Sequence, residues 1–182
     1  MDFTYPFITT EPKETARIGQ ELGSTIVKSQ KSPARNALPE AAASLRAGTQ
    51  NVAGGKVKSE QDRGALTVCL YGELGSGKTT FVQGFGKAFG ITSRLLSPTF
   101  FIVRRYPFVK QSGFFYHIDL YRIGDEKELV ELGIPEILRD SDSIVLIEWA
   151  DTLGGLLPKR RVDIRFEVLE NDSHKISMER VI

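Results

Sequence analysis

A chain of 182 residues is long enough for one α/β domain and too short for two of ordinary size. Its 41% hydrophobic and 26% charged residues suit a globular fold, and a formal charge of +1 gives no global pull toward nucleic acid or membrane. No apolar run reaches membrane-span length, the start MDFTYPFITTEPKE lacks the features of a secretory signal, and the single cysteine, Cys69, excludes an internal disulfide, so the expectation is a cytoplasmic protein.

Residues 1–10 hold an aromatic, strand-favouring stretch (Phe3, Tyr5, Phe7, Ile8) interrupted by Pro6, which predicts an edge strand. Thr10, as N-cap, and Pro12, in a first turn, predict a helix ending near Val27, with Ala16, Ile18, Leu22 and Ile26 on its inner side. Residues 28–63 then change character: no aromatic residue, and seven basic side chains against three acidic ones for a local charge of +4. Such a segment buries too little apolar surface to offset its conformational entropy, and it reads as a mobile insertion in a single domain, with a short helix possible at Pro39–Ala47.

The run ALTVCLYGELGSGKTTFVQGFGKAFG, residues 65–90, is a strand, a glycine turn and a helix opening at Lys78. Its turn, Gly72 to Thr79, is the phosphate-binding pattern G-x-x-x-x-G-K-[ST]. Glycines there let successive backbone N–H groups converge on an anion at a helix N-terminus, where a lysine can reach terminal phosphates and a hydroxyl can face Mg²⁺. Phe81, Val82, Phe85 and Phe89 mark the buried stripe of the helix, and Cys69 reads as a small buried hydrophobe in the strand.

Farther on, Ser97-Pro98 marks a turn and the residues after it, through Val103, a strand. FFYHIDLYRI at 114–123 is a strand running into polar side chains, and Lys127–Leu138 is helical with a break at Gly133-Ile134-Pro135. SIVLIEW at 143–149 is a central parallel strand ending in an acid, and two alternating runs, 162–169 and 175–182, form a hairpin around Glu170–Ser173. The fold class is therefore α/β, a central and mostly parallel sheet flanked by helices, of the P-loop NTPase kind, with a C-terminal β-hairpin.

Ligands of open α/β sheets bind beyond the carboxyl ends of the strands. Three strands deliver polar groups there: the phosphate loop, Asp119 and Glu148. An apolar strand ending in Glu148 beside such a loop is the Walker B pattern and suits metal-linked phosphoryl transfer. His117 shares a strand face with Asp119 and reads as a structural hydrogen-bonding residue.

Four blocks, GELGSGKTTFVQGFGKAFGI (72–91), SPTF (97–100), HIDLYRI with ELGIPEIL (117–123, 131–138) and IEWAD (147–151), resemble the TsaE (YjeE) family in order and spacing. These are small ATPases of bacterial tRNA threonylcarbamoyladenosine synthesis. Nearly everything except 28–63 takes part in the resemblance. It implies that Gly75, Ser76, Gly77, Lys78, Thr79 and Thr80 wrap the phosphates of ATP, with Thr79 and Glu148 on Mg²⁺. It also implies a switch segment at Ser97-Pro98-Thr99 near the γ-phosphate and a carboxylate needed for hydrolysis at Asp119. Thr10 and the hairpin at Asn171–Lys175 would lie near adenine. As implied partners it brings TsaB and TsaD, with tRNA reached through them.

Two other readings compete. A small-molecule kinase would need a basic lid, for which Arg104-Arg105 or Arg160-Arg161 would have to serve. A regulatory subunit that senses ATP and ADP without turnover would not need both Asp119 and Glu148. A GTPase is disfavoured by the lack of an N-K-x-D motif.

Overall fold

Leu66–Tyr71 carries small or apolar side chains at every position, so it is stable only where both faces are covered. In the computed structural model, which describes residues 5–30, 64–91, 101–108 and 113–181, it is strand β2 at the centre of a seven-stranded sheet. The other strands are β1 (Phe7–Thr9), β3 (Val103–Pro107), β4 (Phe114–Asp119), β5 (Ile144–Glu148), β6 (Arg161–Val168) and β7 (His174–Val181). Their order is β1-β7-β6-β2-β5-β4-β3. The four inner strands β6, β2, β5 and β4 run parallel, while β3, β7 and β1 add antiparallel edges. The parallel core, the helical cover and the C-terminal hairpin match expectation, within a sheet that is mixed overall.

Side chains alternate along each inner strand and so build two cores. On one face Val68, Leu70, Phe115, Ile144, Leu146 and Ile164 meet helices α1 (Pro12–Gln30) and α2 (Lys78–Lys87). On the other, Cys69, Ile118, Val145 and Ile147 meet α3 (Glu126–Glu131), α4 (Ile134–Arg139) and a 3₁₀ segment at Ala150–Leu156. Asp125 caps α3 by accepting from the Lys127 N–H, and Gly133, at φ 72°, separates α3 from α4 at the expected break.

Helix α1 lies unusually near α2. A Cβ added at Gly19 would sit 2.2 Å from the Phe81 carbonyl oxygen, and one at Gly84 would sit 1.8 Å from that of Ala16. The two backbones therefore meet with no side chain between them. The inner face of α1 consists of Thr15, Ile18, Leu22 and Ile26, with Ala16 only half-buried.

Three local expectations change. Helix α1 runs to Gln30 and so takes in Lys28–Gln30; residues 31–63, including Pro39–Ala47, lie outside the described residues. Thr10 does not cap the helix through its hydroxyl. Instead the Glu14 carboxylate reaches back and accepts from the N–H groups of Thr10 and Glu11 and from the Thr10 hydroxyl, at 2.8, 3.2 and 3.3 Å. Strand β3 starts at Val103 because Ile102 adopts φ 55°, which ends any extended run before it. Arg104 and Arg105 lie within this edge strand, stacked over Phe101 and Phe114, and form no lid.

Two outcomes follow from this packing. Gly84→Ala should destabilise the fold by about 3 kcal/mol, because the new methyl meets backbone and not a flexible side chain. Urea unfolding with an unchanged midpoint would contradict the close helix approach. Burial pushes the Cys69 thiol up to about 12. It should therefore resist thiol reagents at pH 8 in the native protein and react only as the protein unfolds; rapid native-state labelling would refute its placement.

Candidate functional site

The parallel register of β2 with β5 sets Leu70 opposite Glu148, and that of β4 with β5 sets Asp119 opposite Glu148. Because β2 ends one residue past Leu70, the phosphate loop, Glu148 and Asp119 emerge together at the carboxyl edge of the sheet. The loop turns through three glycines at positive φ, Gly72 at 139°, Gly75 at 80° and Gly77 at 98°. A side chain at Gly77 would press within 3.0 Å of His174 Nδ1 on β7, and Thr15 Cγ2 lies 3.5 Å from the same point. The hairpin and α1 thus wall one side of the loop. Thr15 is itself held by a 2.9 Å hydrogen bond to Thr9.

Lys78 opens α2 and is buried, yet its ammonium folds back over its own loop. It donates to the carbonyl oxygens of Gly72 at 2.6 Å and Glu73 at 2.8 Å, with Ser76 Oγ at 3.5 Å. The indole of Trp149 covers it, 4.3 Å from ring centre to Nζ. Burial holds the Lys78 amine below its ordinary value, against the opposing pull of Glu148, Asp119, Glu73 and Asp151. Trp149 reaches this place by a left-handed backbone, φ 60° and ψ 45°, which a bulky side chain adopts only when its surroundings enforce it. Tyr121 packs against the indole at 5.0 Å between ring centres.

Thr79, in the first turn of α2, donates its hydroxyl to Glu148 Oε2 at 2.9 Å. The other oxygen of Glu148 is held by His117 Nε2 at 2.8 Å, and both His117 and Glu148 are almost wholly buried. Asp119, 4% exposed, accepts from the Tyr121 N–H at 3.0 Å through Oδ1. The site therefore joins a glycine-turned loop, one lysine, two hard oxygen donors and a second carboxylate.

Of the site residues expected from sequence, Gly75, Ser76, Gly77, Lys78, Thr79, Asp119 and Glu148 come together here, with Thr80 half-buried in the same helical turn. Thr99, with the whole of Ser97-Pro98-Thr99, lies outside the described residues. Thr10 is exposed at the start of α1, its hydroxyl engaged by Glu14, and adjoins the loop only through its neighbour Thr9. Tyr121 entered the sequence reading only within the HIDLYRI block and His174 only within the hairpin at Asn171–Lys175, neither with a role against the loop or the indole. Only the register that sets His174 beside Thr9 brings the hairpin back to the loop.

The family model described as threonylcarbamoyl adenosine biosynthesis protein TsaE matches residues 9–176. The tRNA threonylcarbamoyladenosine biosynthesis protein TsaE of Borreliella burgdorferi is 45% identical over 93 residues, 51% of this chain and 66% of that protein. The protein of the same name from Bacillus subtilis is 38% identical over 114 residues, covering 62% and 68% of the two chains. The matched regions thus span about two thirds of the length of these relatives. The crystal structure of Bacillus subtilis YdiB superposes with a TM-score of 0.61 over 98% of this chain and 85% of that one, at 22% identity, a likeness of fold. With its family match covering residues 9–176, from the end of β1 into β7, this chain belongs to the TsaE family of threonylcarbamoyl adenosine biosynthesis proteins.

Proposed function

We propose that this chain hydrolyses ATP to ADP and phosphate and couples that step to the turnover of a TsaB–TsaD assembly that forms threonylcarbamoyladenosine on tRNA. One observation carries the reading: the phosphate-loop hydroxyl of Thr79 and the strand-end carboxylate of Glu148, 69 residues apart in sequence, meet at 2.9 Å. Two such oxygens suit Mg²⁺, which takes few protein ligands and completes its shell with phosphate and water. That economy agrees with the described residues, which contain no group of three or more His, Cys, Asp or Glu able to hold a metal alone. Bound there, Mg²⁺ would neutralise charge on the β- and γ-phosphate oxygens.

The chain's own groups divide the remaining work. Backbone N–H groups from Gly75 to Thr80 cradle the phosphates, and Lys78 leaves the carbonyls of Gly72 and Glu73 to reach the terminal ones. Asp119, beside Glu148 at the sheet edge, orients a water for in-line attack on the γ-phosphorus. The water oxygen bonds to the γ-phosphorus as the bond from that phosphorus to the β–γ bridging oxygen breaks; the bonding pair stays on the bridging oxygen, which leaves with ADP, and the water's protons pass to the released phosphate and solvent. Thr99 in its switch segment would sense the γ-phosphate, and its release after hydrolysis would reset the partner assembly. Thr10 and the hairpin near His174 would flank the adenine.

Two measurements test this. With TsaB, TsaD and tRNA present, ATP should yield free phosphate, faster than with the chain alone. Asp119→Asn should bind ATP with near-normal affinity yet lose hydrolysis by about a hundredfold or more. Label arriving on a small molecule, and not in free phosphate, would show a kinase instead. The second measurement uses Trp149, the only tryptophan in the chain. Nucleotide that draws Lys78 from beneath the indole should change its emission, and Lys78→Met should remove that response. A flat titration, with binding confirmed by calorimetry, would contradict the site.

A further inference from the structure

On the α1–α2 face of the sheet, the inward side chains of β4 are Phe115, His117 and Asp119, and those of β5 are Ile144, Leu146 and Glu148. Phe115 pairs with Ile144, His117 with Leu146 and Asp119 with Glu148. The first row is apolar and the last is the site. In the middle row an imidazole stands where its partner on β5 is leucine, and it is fully buried.

A histidine held for structural reasons in such a place commonly satisfies both ring nitrogens. This one satisfies a single nitrogen among the described residues. Nε2 meets Glu148 Oε1 at 2.8 Å, and Nδ1 has no hydrogen-bond partner. Because a carboxylate only accepts, Nε2 carries the hydrogen. The one polar contact that justifies burying the ring is therefore the contact to Glu148. That contact occupies Oε1 and leaves Oε2 for Thr79.

We propose that His117 is a positioning residue for the site: it fixes the Glu148 carboxylate so that one chosen oxygen, Oε2, faces the Thr79 hydroxyl and the divalent cation that accompanies the nucleotide. The proposal rests on the reading of Thr79 and Glu148 as the magnesium-facing pair and adds a residue that touches neither nucleotide nor metal. Glutamate has three rotatable side-chain bonds, so a strand-end carboxylate held from one side only would sample several orientations. Hydrogen-bonded partners of metal-facing ligands typically change metal affinity or activity ten- to a hundredfold when removed.

The test uses the full chain, ADP and Mg²⁺, with binding followed by calorimetry. His117→Leu keeps apolar bulk in the row but deletes Nε2, whereas His117→Gln can bring an amide N–H to about the same place. In His117→Leu the Mg²⁺ concentration that half-saturates the gain in ADP affinity should rise ten- to a hundredfold. ADP affinity without Mg²⁺ should stay at the wild-type value, and His117→Gln should recover most of the loss. A His117→Leu protein with the wild-type Mg²⁺ midpoint would overturn the proposal. So would loss of affinity equal with and without Mg²⁺, which marks a merely structural residue.

A second readout needs no variant and no nucleotide. In wild-type protein labelled with ¹⁵N-histidine, the hydrogen should reside on Nε2 of His117, with Nδ1 bare. A hydrogen on Nδ1 and none on Nε2 would overturn the proposal even if His117→Leu failed to fold. Should ADP binding to the wild type ignore Mg²⁺ altogether, the magnesium reading fails, while the tautomer still decides whether His117 holds Glu148.

Discussion

Everything at the site depends on β5 lying parallel to β2 in one register. With Leu70 opposite Glu148, the acid leaves its strand level with the end of β2, and Thr79, in the first turn of α2 beyond the loop, can meet it. A slip of one residue would turn Glu148 toward the other face of the sheet, among Cys69, Val145 and Ile147. The register is guarded by that same alternation, since the α3–α4 face of β5 is apolar and a slip would bury the acid in hydrocarbon. The chemistry at the carboxyl edge is thus a product of packing lower in the sheet.

The loop has a second support in the seam between α1 and α2. Glycines at 19 and 84 remove the side chains that would hold the helices apart. Helix α1 then brings Thr15 against Gly77, and β1 carries Thr9 onto His174 of the hairpin. The N-terminal elements and the C-terminal hairpin therefore close the same flank of the loop. The family match, residues 9–176, takes in parts of both.

What the sequence made legible was local: the glycine pattern, the apolar runs that must be central strands, the acid that ends one of them, the proline and glycine that split a helix. What it hid was relational. Gly19 looks like an ordinary weak point in a helix until the partner backbone is known. Thr10 has the chemistry of a cap, but the Glu14 carboxylate reaches back to the Thr10 and Glu11 N–H groups and takes the Thr10 hydroxyl as well, with a charged acceptor that makes the stronger bond. Arg104 and Arg105 resemble a basic loop, yet an edge strand tolerates such charges because one of its sides faces solvent. The bond from His117 to Glu148 required a register between strands that no single stretch of sequence contains.

The folded-back Lys78 makes ligand entry a substitution reaction. Its ammonium already holds two carbonyl oxygens, and an aromatic face shields it from water. An incoming group must offer more than those neutral dipoles. A sugar hydroxyl or an amide offers only an equal exchange, whereas an oxygen bearing formal charge draws the lysine away with energy to spare. Discrimination in favour of polyanions is thereby exercised before shape is consulted, by the bonds that the loop already makes with itself.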